Sequence, residues 1–600
     1  MSDALNAQTR AEAISRLRAA SAENPLDVLI VGGGVVGVGS ALDAAARGMD
    51  VVLVEQRDLA SGTSSRSSRL AHGGLRYLEQ FEFGLVHEAL TERGLLLDRL
   101  APHLVRPVPF VFPVVNPVWE RAYAGVGVAL YDTLSRLGAY GGAMPRPKTL
   151  SKKKVKVVAP GLNEDAYGGA VTFYDAQIDD ARHTMVTART AAGRGAGIAT
   201  GVKVVSLLRS PDGERVIGAR VRVSPSGWIE AAGVDEGATR EPRDLGVQAG
   251  TGSPADDALE DGALEFDVHA RVVLSATGVW TDEVLRMAGA DADAPAVRQS
   301  KGVHLVIPRD AFTSSSALIA RTPTSVLFML PWGPNWLVGT TDTDYEDGLA
   351  EPVVTAEDVD YLLEQANRWL SRPLTRDDVV GVYAGLRPLV NEGDDQDGTA
   401  EISREHTIFH PAPGVVAIAG GKYTTYRVMA RDAVDAVAEQ VSELTSREFG
   451  PCTTDEIPLA GAEGFDQAWA AREELAEVLG ISLPQAQRLL RRHGDRVWDV
   501  VELVRADPAL GEPMAPDSGY LTAEAVLAVR NEGASTLEDV VVRRTRIGLQ
   551  MPDGGMEAAR KIAPIVGAEM GWDAAEVDRQ LAHLQERREW IYPTADLSGQ

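Results

Sequence analysis

Four cationic side chains keep unusual company in this sequence: Arg76 in GGLRYL, Arg387 in AGLRPL, Arg404 in SREH and Lys422 in GGKYTT. Glycines, a proline or hydroxyls flank them, and Tyr77 adjoins the first. Together they suit a polar pocket for an anion, because charge-assisted donors and arginine forks are the strong anion ligands. Taken singly, each also fits a surface arginine or a structural ion pair. His304, in KGVHLVIP, alternates with apolar Val303 and Leu305 on an apparent strand and so faces away from them. It is the leading candidate for acid–base work, and His72, inside SGTSSRSSRLAHGGLRYL (61–78), competes with it. Asp342 and Asp344 in GTTDTDYE are spaced like a carboxylate pair, but no histidine or further acid stands at ligand spacing. The flanking Gly and Thr read as a turn near the pocket mouth, and no metal is expected.

These residues need elements to carry them. DVLIV (27–31) is an apolar, β-branched run typical of a buried parallel strand, and GGGVVG follows it, placing Gly32, Gly34 and Gly37 in GxGxxG spacing. A helix with Ala41, Ala44 and Ala45 leads to a second strand, DVVLVEQ, with Glu55 at its carboxyl end. Each part has a task in a dinucleotide site. The glycines allow a tight turn and close backbone approach, the helix N-terminus faces the pyrophosphate, and the acid accepts from a ribose diol. Glu55 argues against a 2′-phosphorylated nucleotide, but the motif alone does not separate NAD from FAD. Its place at the head of the chain, with later segments able to complete the site, points toward FAD. Those segments are the strand IATGVKVVSLL with Val204, the strand-turn RVVLSATGVWTDEV with Ala276, Thr277 and Gly278, and GVVAIAGGKYTTYRVMARDAV with Gly420, Gly421 and Thr424.

The bulk numbers bound the answer. Six hundred residues suggest two to four domains, and 59 Lys+Arg against 86 Asp+Glu give a net charge of −27. So acidic a surface makes nucleic acid an unexpected partner. Cys452 is the single cysteine, which excludes an intrachain disulfide, a CxxC redox pair or a thiolate cluster and fits a reducing cytoplasm. The first residues carry no apolar signal-peptide core, and no apolar run approaches the ~20 residues of a membrane-spanning helix.

The ordered set GGGVVG, SGTSSRSSRLAHGGLRYLE, YDAQIDDAR, KGVHLVIP, GTTDTDYE, AGLRPL, SREH and GGKYTTYR resembles the FAD-dependent glycerol-3-phosphate dehydrogenases, over roughly residues 25–550. AVRNEGASTLEDVVVRRTRIG resembles the signature of that family's helical cap domain. The resemblance implies tightly bound FAD, oxidation of sn-glycerol 3-phosphate to dihydroxyacetone phosphate, and electrons passed to a quinone. A related branch uses oxygen and makes peroxide; an amine or amino-acid oxidase of D-amino-acid or sarcosine type is the more distant alternative. On this reading the substrate-binding residues are Arg76, Tyr77, Arg387, Arg404 and Lys422, and the catalytic ones His304, Arg387 and Lys422. Arg387 would steady the alkoxide or ketone oxygen. Thr63, Ser64, Ser67, His72, Gly73 and Gly74 would join the cofactor site, the paired glycines turning the chain under the ring.

The expected fold class is α/β, a Rossmann-like FAD-binding domain of glycine-oxidase and D-amino-acid-oxidase architecture with an antiparallel-sheet substrate domain and a C-terminal helical domain. Residues 1–24 are expected as a helical extension; 25–105, 170–300 and 400–440 as the FAD domain; 106–169 and 301–399 as the substrate domain. Residues 441–585 are expected as the helical cap and 586–600 as a tail. The Gly-, Asp- and Pro-rich segment 224–265 reads as a flexible acidic insertion. Aromatic and apolar residues from 118, followed by the basic run to Lys156, suit contact with an anionic membrane, each cation contributing about 1 kcal/mol near the surface. The location expected is cytoplasmic, peripheral on the inner face of the plasma membrane if that contact is made. A homodimer is one option for the assembly.

Overall fold

The computed structural model describes all residues except 1, 75–76, 78–80, 117–118, 138–143, 225–256, 259–262, 290–296, 323–325, 347, 350, 391–404 and 592–600. Arg76 and Arg404 therefore lie outside the described residues, as does most of the expected insertion 224–265.

Strand Leu26–Val31 pairs in parallel with Val51–Glu55 on one side and Leu264–Ser275 on the other. Val415–Gly420 and Gly197–Thr200 extend this parallel core outward. The run LDVLIV is apolar on both faces because both are covered. Helices Val35–Ala46, Asp180–Gly193 and Tyr426–Thr445 cover the face bearing Val28, Ile30 and Leu53. Helix Ala7–Ala19 covers the other, where Ala13 and Leu17 pack with Leu29, Val52 and Val54. The expected N-terminal extension is thus a packed layer of this domain. On that same face, Val202–Arg209 and Val216–Val223 form an antiparallel hairpin, and the second of these pairs with the start of Leu264–Ser275.

A second, ten-stranded sheet, counted over the described residues, is mainly antiparallel. Its centre is Val297–Pro308, which pairs with Gly381–Val390 and Asn335–Gly339. One face buries Val303, Leu305, Trp336 and Val338 beneath helix Ala356–Asn367. The opposite face carries Phe110, Phe173 and Val306 and meets helices Phe83–Leu95 and Trp119–Leu137. One boundary differs from the sequence reading. Strand Gly169–Ile178, assigned by sequence to the FAD domain from residue 170, pairs along its whole length with Val105–Val114. A ladder of ten register pairs holds it in the second sheet, so the chain returns to the first domain only near Asp179.

After residue 450 the chain is helical and has two cores of its own. One gathers Leu475, Leu489, Leu490, Val497 and Val501; the other gathers Leu537, Val540, Ile562 and Val566. Among the described residues no helix is long and apolar enough to cross a membrane.

Candidate functional site

A cavity of about 910 Å³ opens where the two sheets meet. It begins at the glycine turn. Gly32 adopts φ +112°, and a Cβ there would lie 2.6 Å from the Ala276 carbonyl oxygen. Gly34 caps helix Val35–Ala46 without a side chain, which leaves the helix N-terminus turned to the cavity. Glu55 sits beside the turn: its Oε2 accepts from the Gly33 N–H at 2.7 Å and its Oε1 from the Arg57 N–H at 2.8 Å. Burial pushes the Glu55 carboxyl upward in pKa, and the two N–H donors oppose that shift. Ser64 Oγ accepts from the Val35 N–H at 3.0 Å, tying the hydroxyl-rich segment to the same helix end.

From the turn the cavity passes Val204, Ala276, Thr277 and Gly278, then Gly420, Gly421 and Thr424. Gly420 and Gly421 both take positive φ, and a Cβ on Gly421 would meet Met429 Sδ at 2.4 Å. Thr424 Oγ1 accepts from the His72 N–H at 3.1 Å, so the two segments expected to flank the cofactor ring touch each other. Burial lowers the His72 pKa and favours the neutral imidazole. Beneath the next residue runs a buried polar chain. The Gly73 N–H donates to Tyr131 Oη, Tyr131 donates to Asp175, and Arg93 pairs with Asp175 at 2.7 Å. Gly74 takes φ +75° with Tyr77 tucked where a Cβ would stand.

The far end is polar. His304 Nε2 meets Ser68 Oγ at 2.9 Å, and the ring stacks on Tyr383 with centroids 4.8 Å apart and planes 8° apart. Tyr383 donates to the Ser67 carbonyl at 3.0 Å. Nδ1 of His304 is buried without a hydrogen-bond partner. Burial, reinforced by Arg387 and Arg69, pulls the His304 pKa down to about 3. Arg387 donates to Ser300 Oγ and Thr340 Oγ1, each at 3.3 Å, and stands 3.5 Å from Asp342. Lys422 Nζ lies 3.5 Å above the Tyr77 ring.

His304, Arg387, Lys422, Tyr77 and His72 therefore share one cavity with Gly32, Gly34, Glu55, Thr63, Ser64, Ser67, Gly74 and the later cofactor candidates. Gly37 and Gly73 stand behind it, as packing positions. Two hydroxyls that line the cavity are engaged by the fold: Thr63 donates to the Leu386 carbonyl at 2.7 Å, and Ser67 donates to Asp180 at 2.8 Å. Asp342 and Asp344 face different partners, Arg387 and Arg298, and no group able to hold a metal occurs among the described residues. Sequence reasoning missed Ser68, Thr340 and Tyr383. Ser68 belongs to the hydroxyl run itself, whereas Tyr383 meets His304 only through the register of two strands.

The glycine cradle, the open helix end and the Glu55 carboxylate fit the pyrophosphate and ribose of a dinucleotide. His304 and Arg387 line the same cavity. The comparisons give the class, a flavin-dependent oxidoreductase. The family model described as "FAD dependent oxidoreductase" matches residues 27–223 and 210–427, and the "C-terminal domain of alpha-glycerophosphate oxidase" matches 452–577. Glycerol-3-phosphate dehydrogenase 2 of Mycobacterium tuberculosis is 44% identical, across 94% of this chain and 88% of that protein. The human mitochondrial glycerol-3-phosphate dehydrogenase is 34% identical, across 94% and 73%. Among solved structures, glycerol-3-phosphate dehydrogenase from Bacillus halodurans complexed with FAD superposes with a TM-score of 0.71 at 27% identity, covering 98% of each chain. The chain belongs to the FAD-dependent glycerol-3-phosphate dehydrogenase family.

Proposed function

We propose that this protein oxidises sn-glycerol 3-phosphate to dihydroxyacetone phosphate and hands the electrons to a membrane quinone. The observation that carries the reading is the single cavity joining the nucleotide cradle to His304, Arg387 and Lys422. When bound, FAD supplies the hydride acceptor. The protein supplies the rest. Arg387 and Lys422, with Arg76 and Tyr77 of GGLRYL and Arg404 of SREH, hold the phosphate and orient the secondary alcohol. His304 takes a proton at Nε2 from the Ser68 hydroxyl 2.9 Å away, and Ser68 Oγ takes the alcohol's proton in its place, so the two act as a relay. Tyr383 stacked behind it fixes the ring plane. The Arg387 fork steadies the oxygen as it becomes a carbonyl.

Purified yellow protein, kept anaerobic, is expected to bleach with glycerol 3-phosphate and to stay yellow with D-amino acids or sarcosine. Bleaching by an amino acid and not by the phosphate ester would reverse the substrate assignment. Reoxidation by a soluble quinone analogue should then outpace reoxidation by oxygen; stoichiometric peroxide would instead mark an oxidase.

The quinone reading is supported by the cavity's rim, where Phe81 is 77% and Val126 71% exposed beside Leu130. Such apolar groups suit a long-chain, lipid-dissolved acceptor. On the same domain Lys148, Lys152, Lys153 and Lys154 are exposed, while Lys156 pairs with Glu164. The protein is expected to float with anionic liposomes, and a variant with Lys152, Lys153 and Lys154 changed to Gln to float markedly less. Unchanged flotation would remove the basic stretch from the membrane contact.

A further inference from the structure

The motif RRTR (543–546) lies in the helical cap domain, yet its side chains are buried against the nucleotide domain. Arg544 forks onto Asp58, its two contacts at 2.6 and 2.8 Å, and Arg543 reaches Asp58 at 2.6 Å. Asp58 lies three residues beyond Glu55, at the start of the segment that runs to Ser68. Arg546 takes the other end. Its Nη1 donates to the Ser65 carbonyl at 3.1 Å, its Nε donates to Asp179 at 3.1 Å, and its Nη2 pairs with Asp180. Asp180 in turn accepts from both the Ser67 N–H, at 2.9 Å, and the Ser67 hydroxyl, at 2.8 Å. The next residue, Ser68, meets His304 at 2.9 Å.

We infer that Arg546 is a positioning residue: the cap domain sets the Ser68–His304 contact by clamping the Ser65–Ser67 backbone through Arg546 and Asp180. The planar guanidinium suits the task, since its donors reach a carbonyl and two carboxylates at once, which an ammonium on a single stem does not. The arrangement is over-determined. Arg546 itself holds φ +64°, and the first two residues of the same motif, Arg543 and Arg544, are anchored on Asp58. The role gives the cap domain a part in the chemistry although none of the motif's arginines lines the cavity.

This inference rests on the reading of His304 given above, and the test separates the two. Holoenzyme carrying Arg546→Lys, which keeps the charge and loses the fork, is mixed anaerobically with glycerol 3-phosphate in a stopped-flow instrument. The flavin reduction rate is taken per bound flavin, alongside His304→Ala, Arg546→Gln and the control Arg530→Gln, whose partner Glu569 is at the surface. Arg546→Lys is expected to retain FAD and an unchanged KM while its reduction rate falls roughly tenfold, with Arg546→Gln lower still and Arg530→Gln unchanged. A purely structural role would lower the yield of yellow protein and leave the rate per flavin alone; a wild-type rate in Arg546→Lys therefore overturns the inference. A slow His304→Ala beside that result removes the clamp alone, whereas a wild-type rate in His304→Ala removes the reading of His304 and the clamp with it.

Discussion

Replacing His304 with alanine is expected to slow flavin reduction by glycerol 3-phosphate about 10²–10⁴-fold, the usual range for loss of a general base, while the protein stays yellow. The split follows from position. His304 stands on the second sheet, paired with Gly339 and Tyr383, and takes no part in the glycine turn or the helix end that would hold the nucleotide. Its loss removes a proton acceptor and leaves the cradle intact. Flavin content after gel filtration and single-turnover reduction measure the two halves separately, and near-normal reduction would sink the assignment.

The pH dependence sharpens this test. With its pKa held near 3, His304 is neutral throughout the range from pH 5 upward and already able to accept a proton. Its own protonation therefore adds no acid limb to kcat/KM between pH 5 and 7. A phosphate monoester does titrate there, with a second pKa of about 6. Any limb near pH 6 is expected to belong to the substrate dianion and to persist in His304→Ala. Substrate binding also changes the balance: a dianion beside the imidazole opposes Arg387 and Arg69, raising the histidine's proton affinity when the base is needed.

Much of this site was legible in the sequence because its parts are local. A glycine turn, an acid at a strand end and a strand running into Ala-Thr-Gly each declare themselves within a dozen residues. The cations in GGKYTT and AGLRPL stood out by their neighbours, and Lys422 and Arg387 share the cavity. What stayed hidden is non-local. The stack of Tyr383 on His304 depends on strand register, which neither segment encodes alone. YDAQI at 174–178 reads as a strand but does not say which sheet it joins. The partners of RRTR are just as distant: Asp58 and Asp180 lie 485 and 366 residues from Arg543 and Arg546. Buried charge is tolerable only when paired, and the pairing here crosses domains.

The glycine turn makes the second strong prediction, Gly37→Ala. A Cβ at Gly37 would stand 1.9 Å from the Gly32 carbonyl oxygen and 3.6 Å from the Ala276 Cβ. The first of these is a backbone atom of the cradle, so no side-chain rotation relieves the clash. Helix Val35–Ala46 must move off the strand, or Gly32 must leave the φ that shapes the turn. Either change displaces the helix N-terminus from the place where it would face a pyrophosphate. The expected result is folded but largely colourless protein, with the flavin-to-protein ratio down at least tenfold and reduced thermal stability. Gly84→Ala is the matched control, because a Cβ there meets nothing within 4 Å and the site lies in helix Phe83–Leu95. That change should keep the flavin and be neutral or stabilising by about 0.5–1 kcal/mol. Full flavin occupancy in Gly37→Ala would show that the cradle yields where the packing says it cannot, and the nucleotide site would then have to be placed on other contacts.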